Sequence, residues 1–199
     1  MARNPLRIVL LAVTALFMIG CAQTPQTVRL APEPPDDYAV DYGKGRTVAL
    51  RVVDQRLDKT RIGELRNRET EAAPVRTKQE LAYVMELTAG ETLKAYGFRP
   101  VAWDADADRR LTVNITHLSH TVAAAVPRDV ETTVRMSATA VHRNSTLKLK
   151  AEQREDDRIT HRPSAGENAR YIESALTGAL ERIMGDELAR FLASGETRG

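Results

Sequence analysis

The feature that most constrains the fold is a regular alternation along residues 130–140, where every second side chain is apolar except Thr132. A period of two is typical of a β-strand with one buried face. Residues 111–115 and 147–151 alternate in the same way. Because Asn144 and Ser145 supply a turn before the last stretch, the three stretches predict neighbouring strands of one sheet.

Two amphipathic helices are predicted on either side of these strands. Residues 77–80 (Thr-Lys-Gln-Glu) and 164–167 (Ser-Ala-Gly-Glu) each match the capping box that opens many helices. Apolar residues follow both boxes at helical spacing, as far as Gly97 in the first case and Gly195 in the second. Each helix therefore has one apolar stripe to bury.

The order of elements predicts the fold class. Two more strands are predicted at residues 47–54 and 98–103, whereas the charged, irregular residues 55–76 predict a long loop with at most one short strand. A strand, a helix, a short strand, three long strands and a helix are typical of an α+β fold. We predict a single two-layer domain, in which both helices pack on one face of an antiparallel or mixed sheet of about four to five strands.

The first 21 residues have the layout of a secretory signal peptide. Arg3 and Arg7 give a positive start, and an almost unbroken apolar run follows over residues 8–19. This run is too short for a membrane-spanning helix, which needs about 20 residues. It predicts export from the cytoplasm rather than a membrane span.

The signal ends in Met18, Ile19 and Gly20, directly before Cys21, the single cysteine of the chain. This arrangement resembles the lipobox of bacterial lipoproteins, with Met18 where Leu is usual. It predicts cleavage before Cys21 and acylation of that residue, which anchors a protein without spanning the membrane. An ordinary signal peptide with a coincidental cysteine is the alternative. By similarity to proteobacterial lipoproteins, Ala22 in place of Asp predicts outer-membrane sorting, with the domain facing the periplasm of a Gram-negative bacterium.

Removal of the signal peptide leaves a chain without net charge. The full sequence has 29 Lys and Arg against 27 Asp and Glu, and Arg3 and Arg7 lie in the signal. The basicity of the full chain therefore gives no reason to expect a nucleic-acid partner. A single cysteine also allows no intramolecular disulfide, so the stability has to come from a hydrophobic core.

The stretch after the cysteine predicts a flexible tether. Residues 21–45 contain four prolines among polar residues and show neither a helical nor a strand period. A flexible chain of roughly 20 residues spans on the order of 25 Å. The predicted organisation is a signal peptide at 1–20, the lipidated cysteine and tether at 21–45, a globular domain at 46–195 and a tail at 196–199.

The histidines do not predict a metal site. His117 and His120 are three residues apart on a predicted strand, which places them on opposite faces unless the strand bulges. The apolar phase slips near Leu118, so a β-bulge is predicted near residues 117–120. We interpret these two histidines, with His142 and His161, as partly exposed residues.

An acidic stretch gives no metal site either. Asp104, Asp106 and Asp108 alternate like the start of a calcium-binding loop. Arg109 stands where that loop needs Gly, and Ile115 where it needs a bidentate Glu. We predict a hydrated acidic turn, and no metal or other cofactor.

No motif in the sequence predicts catalysis. The chain lacks a nucleophile elbow, a P-loop and a dinucleotide fingerprint. Its paired carboxylates, residues 36–37 and 156–157, lie in polar segments without the apolar pocket that raises the pKa of a catalytic acid. We therefore predict no catalytic residues and no enzymatic activity.

One internal motif has a counterpart in a known family. A hydrophobic strand runs into Val52-Val53-Asp54-Gln55-Arg56, and Gly63 follows seven residues later. With the lipobox, the tether and the order of elements, this motif resembles the YajG-type bacterial lipoproteins over residues 46–195. The resemblance implies no established enzymatic activity and no cofactor. We interpret Asp54 and Arg56 as a structural pair that fixes the loop; a ligand-binding pair is the alternative.

Together these observations predict a non-catalytic lipoprotein of the cell envelope, anchored by Cys21 and acting as a periplasm-facing binding or assembly module. The expected partners are the membrane, through the acyl chains, and an envelope protein or peptidoglycan that docks on the uncovered sheet face or an edge strand. Two alternatives stay open. One is an envelope hydrolase or small-ligand carrier with an unrecognised site, and the other is a passive spacer between membrane and wall.

Overall fold

The structure, a computed structural model, describes residues 23–34 and 40–194. Within them the chain forms eight strands and three helices. The strands are β1 (Gln26–Val28), β2 (Thr47–Asp54), β3 (Arg61–Leu65), β4 (Ala73–Thr77), β5 (Arg99–Val101), β6 (Arg109–Val122), β7 (Arg128–His142) and β8 (Ser145–Ile159). The helices are α1 (Leu81–Ala95), α2 (Ala165–Ile183) and α3 (Asp186–Ala193).

All eight strands belong to one open sheet, and β6 is its branch point. On one side, β6 pairs antiparallel with β7, which pairs antiparallel with β8. On the other side, β6 has two parallel neighbours, β2 along its first half and β3 at its end. β5 extends the sheet beyond β2, whereas β4 and β1 extend it beyond β3. The sheet therefore forks, and the segment between β2 and β3 crosses the fork.

The three helices lie over one face of the sheet. α1 contacts β2 and β5, α2 contacts β7 and β8, and α3 contacts β7. The alternation along β7 shows which face they cover, because Val134 is fully buried while the adjacent Thr133 and Arg135 are partly or fully exposed. One continuous hydrophobic core fills the space between this face and the helices.

The predicted α+β class is confirmed, but the sheet is larger than predicted. It has eight strands instead of about four to five. Residues 55–76, predicted as a loop, contain β3 and β4, whose short apolar pattern is interrupted by Gly63 and Pro74. The single C-terminal helix predicted as far as Gly195 is divided into α2 and α3, with Gly185 as the N-cap of α3.

The two predicted capping boxes have opposite outcomes. At α2, Ser164 Oγ accepts a hydrogen bond from the amide of Glu167 (3.2 Å), and Glu167 Oε2 accepts one from the amide of Ser164 (2.8 Å), so that box is confirmed. At α1 the prediction is wrong, because Glu80 is the N-cap and makes no side-chain cap bond. The Thr77 hydroxyl accepts from the amide of Gln79 instead (3.1 Å), which forms a tight turn before the helix.

The prediction of a flexible tether over residues 21–45 is wrong for residues 23–34, which belong to the domain, and for residues 42–45, which bond to the end of α1. β1 pairs with β4, and Leu30 is 2% exposed. The segment then runs between α1 and α2, where Thr88 Oγ1 of α1 donates to the carbonyl oxygen of Pro32 (3.1 Å). The composition of this segment alone predicts too little apolar burial to offset the entropy lost on ordering. The pairing with β4 and the buried leucine provide what the composition does not show.

Candidate functional site

The motif residues lie where the sheet forks. β2 ends at Asp54, whose neighbour on β6 is Ile115. β6 bulges directly afterwards, at Thr116, one residue before the predicted stretch. The segment of residues 55–60, which we call the fork loop, leaves β2 beside this bulge and re-enters the sheet as β3.

Asp54 and Arg56 form a buried bidentate ion pair. Arg56 Nη2 lies 2.7 Å from Asp54 Oδ2, and Arg56 Nε lies 2.9 Å from Asp54 Oδ1. The two side chains are only 3% and 6% exposed, respectively. The same guanidinium donates to the carbonyl oxygens of Lys59 (3.0 Å) and Arg61 (3.1 Å). These are the contacts of a pair that fixes the backbone of the fork loop.

Gly63 allows β3 to pass very close to β6. A Cβ atom at this position would lie 2.6 Å from the carbonyl oxygen of His120 and 2.8 Å from its Cβ atom. Both distances are well below van der Waals contact, and the first partner is backbone. Only glycine therefore fits where β3 enters the sheet.

We expect Gly63→Ala to lower the free energy of unfolding by about 1–3 kcal/mol, because the new methyl group has to displace one of the two strands. Urea denaturation followed by circular dichroism measures this loss. Gly166→Ala is the matched control, since a Cβ there has its nearest neighbour, Ser164 Oγ, at 4.0 Å. Equal stability of the two variants would contradict the close approach.

Two cavities lie on either side of the fork loop. The larger, of about 920 Å³, is bounded by the loop, the ends of β1 and β4 and the start of α1, and its charged lining includes Lys59, Arg76 and Lys78. The smaller, of about 560 Å³, lies between the loop and residues 116–121 of β6. Leu57, in the loop between them, is fully exposed.

A second buried polar group lies beneath the end of β3. His120 is 1% exposed, and its Nδ1 lies 2.9 Å from Thr132 Oγ1. Its Nε2 lies 2.9 Å from Asn168 Oδ1 of α2, and Asn168 Nδ2 donates to Gln26 Oε1 of β1 (2.7 Å). Because Asn168 Oδ1 accepts, the hydrogen bonds fit a neutral imidazole protonated on Nε2. The sequence does carry a signal for this burial. Leu118, His120 and Val122 alternate with more exposed residues, which places His120 on the buried face once the position of the bulge is known.

We expect the protein to lose stability as the pH falls from 6.5 towards 5. Burial lowers the pKa of His120 below its ordinary value of 6.5, so the unfolded chain takes up a proton that the folded chain does not. The loss attributable to one such group is at most about 1.4 kcal/mol per pH unit. Denaturation midpoints at several pH values measure it, and His120→Gln should flatten the dependence. An unchanged slope in that variant would contradict the assignment.

Two carboxylates with strongly lowered pKa values act below this pH window, whereas a second histidine acts within it. Hydrogen bonds from backbone amides lower the pKa of both Asp58 and Glu167 to about 2, so these carboxylates lose their contribution only as the pH falls below about 4.5. The second histidine is His142, whose pKa is also lowered, first by burial and then by the charge of Arg109. The comparison with His120→Gln isolates the share of His120.

The expectation of partly exposed histidines is wrong for His120 and His142, which are both buried. The bulge precedes both His117 and His120, so these two residues, three positions apart, lie on opposite faces of the strand. His117 Nε2 lies 3.1 Å from Ser119 Oγ. Among the described residues, no three His, Cys, Asp or Glu side chains are arranged to hold a metal ion. Residues 104, 106 and 108, the predicted acidic turn, are exposed aspartates.

The sheet face away from the helices is polar. Trp103, the only tryptophan, lies against Arg51, whose guanidinium carbon is 3.9 Å from the ring centroid. Farther along this face, Arg135 of β7 pairs with Glu152 of β8 at 2.8 Å. No described element covers this face, and charged residues on the edge strand β8 oppose pairing with another sheet.

The predicted cleavage and attachment residues, Met18, Ile19, Gly20 and Cys21, lie outside the described residues, and their roles stay predictions. The structure begins two residues after the cysteine, at Gln23. In the part of the chain that the structure describes, no helix is both long and apolar enough to cross a membrane.

Several solved structures resemble this one. Protein XCC0632 from Xanthomonas campestris, assigned to the DUF330 family, gives a TM-score of 0.54 at 14% identity, with 84% of this chain and 96% of that chain covered. An uncharacterized protein gives 0.51 at 9% identity, with 80% and 97% covered. A minor lipoprotein from Acinetobacter baumannii gives 0.40 at 8% identity, with 78% and 93% covered. The first two similarities show a shared fold.

The comparison with protein families is more specific. No curated protein matches the chain. The model of the family Lipoprotein_16, described as uncharacterized lipoprotein, matches residues 32–193. This range contains the fork loop with its ion pair and Gly63, which form the internal motif of the sequence resemblance, but not the lipobox. The chain therefore belongs to this family of YajG-type lipoproteins.

Proposed function

We propose that the protein is a non-catalytic lipoprotein of the outer membrane, held by acylated Cys21, whose periplasmic domain binds an envelope protein through the fork loop. The observation that carries this proposal is an exposed leucine on a fixed loop. Leu57 is fully exposed, and it directly follows Arg56, which is bonded to Asp54 and to the carbonyl groups of Lys59 and Arg61.

The loop is fixed from its other side as well. Asp58 Oδ1 accepts hydrogen bonds from the amides of Thr60 and Arg61, both at 3.0 Å, and from the Thr60 hydroxyl at 2.9 Å. A rigid loop loses little conformational entropy on binding, and burial of a leucine side chain contributes about 1.5–3 kcal/mol. An apolar contact of this kind favours a protein partner over a glycan such as peptidoglycan.

The other candidate functions have less support. The family indicates no catalytic function. The carboxylate of Asp54 borders the larger cavity but is occupied by Arg56, which leaves it unsuited to the acid or base role of a hydrolase. A passive spacer gives no reason for a fixed loop that exposes a leucine.

In-cell photocrosslinking followed by mass spectrometry tests the binding role. A photoreactive amino acid at position 57 should give a discrete crosslinked envelope protein. Position 181 on the exposed side of α2 is the matched control, and Thr139 on the open sheet face samples the other predicted docking surface. The same products from position 181 as from position 57, or none from position 57, would contradict docking at the fork loop.

The anchor is tested by Cys21→Ser. We expect this substitution to abolish acylation and to move the protein from the membrane fraction to the soluble fraction, because all predicted acyl chains are attached to this residue. Fractionation and intact-mass analysis of the mature protein measure the change. A lipid-free wild-type protein would contradict the anchor, whatever the crosslinking shows.

A further inference from the structure

Very little chain separates the proposed acylation site from the folded domain. Gln23 is buried; its amide donates to Asn67 Oδ1 (2.6 Å), and its side chain donates to the carbonyl oxygen of Arg66 (2.9 Å). Only Ala22 lies between Cys21 and this residue. Two residues of fully extended chain span at most about 7 Å. Acyl chains on Cys21 would therefore hold Gln23 close to the lipid.

Gln23 lies at one end of the sheet, which we call the anchor end. The anchor end consists of Gln23, the β3–β4 turn (residues 66–72), the β6–β7 turn (residues 123–127) and the segment after β8 (residues 160–163). The amide of Arg66 donates to the carbonyl oxygen of Val122 (2.8 Å), which places the two turns side by side. Gln26 Nε2 donates to the carbonyl oxygen of Pro163 (3.1 Å), which adds the last segment.

The β6–β7 turn gives the anchor end an apolar tip. Ala125, Val126 and Pro127 are all exposed, and Val126 is 56% exposed. Arg128 Nη1 donates to the carbonyl oxygens of the two residues that open the turn, at 2.9 and 2.8 Å, and so keeps it in place. An exposed valine on a fixed turn is suited to the interfacial layer of a bilayer.

The charges around the tip are compatible with an anionic lipid surface. Arg66, Arg68 and Arg162 are exposed at the anchor end, against the exposed carboxylates of Glu69 and Glu71. Arginine side chains attract lipid phosphate groups near a membrane surface. Arg66 also pairs with Glu64 at 3.4 Å, so it is the exposed arginines, rather than a net positive charge, that favour contact with phospholipid headgroups.

We propose that the anchor end rests directly on the bilayer that holds the acyl chains, with Val126 in the interfacial layer. The inference rests on the proposed acylation of Cys21. A partner protein does not fit between, because the chain spans at most about 7 Å whereas a single α-helix is about 10 Å wide. The lipid surface is therefore the occupant that the short connection selects.

This contact would set the height of the fork loop above the membrane. β6 runs away from the anchor end in reverse chain order, from Val122 to Arg109. At about 3.3 Å per residue, the seven residues from Val122 back to Ile115 place the start of the fork loop roughly 23 Å from the end of β6, and the loop runs back from there towards the anchor end. The domain itself, rather than a flexible tether, then determines where Leu57 meets its partner.

Fluorescence at single positions tests the contact in the mature, acylated protein. Because the acylated Cys21 has no free thiol, Val126→Cys and Asn144→Cys each introduce one labelling site for an environment-sensitive fluorophore. Asn144 is the matched control, an exposed residue in the β7–β8 turn at the opposite end of the sheet. The proteins are reconstituted in vesicles of phosphatidylethanolamine and phosphatidylglycerol that contain spin-labelled lipid.

We expect the label at position 126 to be quenched several-fold more strongly than the label at position 144, and to emit at shorter wavelength. Equal quenching at both positions in protein that floats with the vesicles would overturn the docked orientation while the anchor stands. Protein that carries no acyl group and does not float would overturn the proposed function, and this inference with it.

Discussion

Replacing Arg56 with methionine is expected to lower the free energy of unfolding by about 3–5 kcal/mol, the usual loss when one partner of a buried ion pair is removed. Asp54 is 3% exposed on its side chain, and Arg56 supplies both of its ion-pair contacts. Without the guanidinium, a buried carboxylate lacks its countercharge. The carbonyl groups of Lys59 and Arg61 lose a donor as well. Urea denaturation measures the change.

Two further variants separate the buried pair from a general effect of removing an arginine. Arg61→Met is the matched control, because that side chain is 45% exposed and its pair with Glu64 lies at the surface; we expect it to cost at most about 1 kcal/mol. Arg56→Lys keeps the charge but not the planar, bidentate geometry, and its loss should be intermediate. A loss below about 1 kcal/mol for Arg56→Met would show that the pair is not what holds the fork loop.

The same pair explains why the sequence predicted the motif residues but not their setting. A strand that ends in Asp-x-Arg is visible in the sequence, and β2 has the predicted boundaries. The sequence does not show that β6 accepts two parallel neighbours on one edge, because strand pairing over this distance depends on the whole sheet. Gly63 belongs to the motif that is visible in the sequence. The need for glycine there comes from the backbone of His120, which is apparent only once β3 and β6 are known to be neighbours.

The missed half of β8 has a different physical cause. The predicted strand ended at Ala151, because the residues after it lack apolar alternation, yet β8 continues to Ile159. Its helix-facing side chains bond polar groups of α2 instead of packing in an apolar core: Tyr171 donates to Asp157, Ser174 Oγ to Glu155 Oε1 (2.7 Å), and Arg182 Nε to Gln153 Oε1 (3.0 Å). A pattern based on hydrophobicity does not detect a strand whose contacts are hydrogen bonds.

The N-terminal segment differs from its predicted structure for a related reason. Its composition predicts disorder, but β1 pairs with β4, and Leu30 is buried in the hydrophobic core. These contacts belong to elements at least 45 residues away in the chain. The buried network around His120 depends on the same segment, since Gln26 of β1 completes it.

That network gives the second large effect expected here. Asn168→Leu should lower the free energy of unfolding by about 2–3 kcal/mol, since an apolar group of similar shape leaves a ring nitrogen of His120 buried without a partner. Gln26 Oε1 loses its donor at the same time. A change of tautomer does not rescue the site, because Thr132 satisfies one ring nitrogen and nothing replaces Asn168 at the other.

The pH dependence distinguishes this loss from a simple packing defect. The hydrogen bond that His120 Nε2 donates to Asn168 Oδ1 raises the pKa of His120, against the larger effect of burial, which lowers it. Its removal should lower that pKa further, so the stability difference between Asn168→Leu and the wild type should widen as the pH falls from 6.5 towards 5. Arg170→Leu, an exposed change in the same helix, should stay within about 0.5 kcal/mol of the wild type. A difference that is constant with pH would mean that the hydrogen bond to Asn168 does not favour the protonated form of His120.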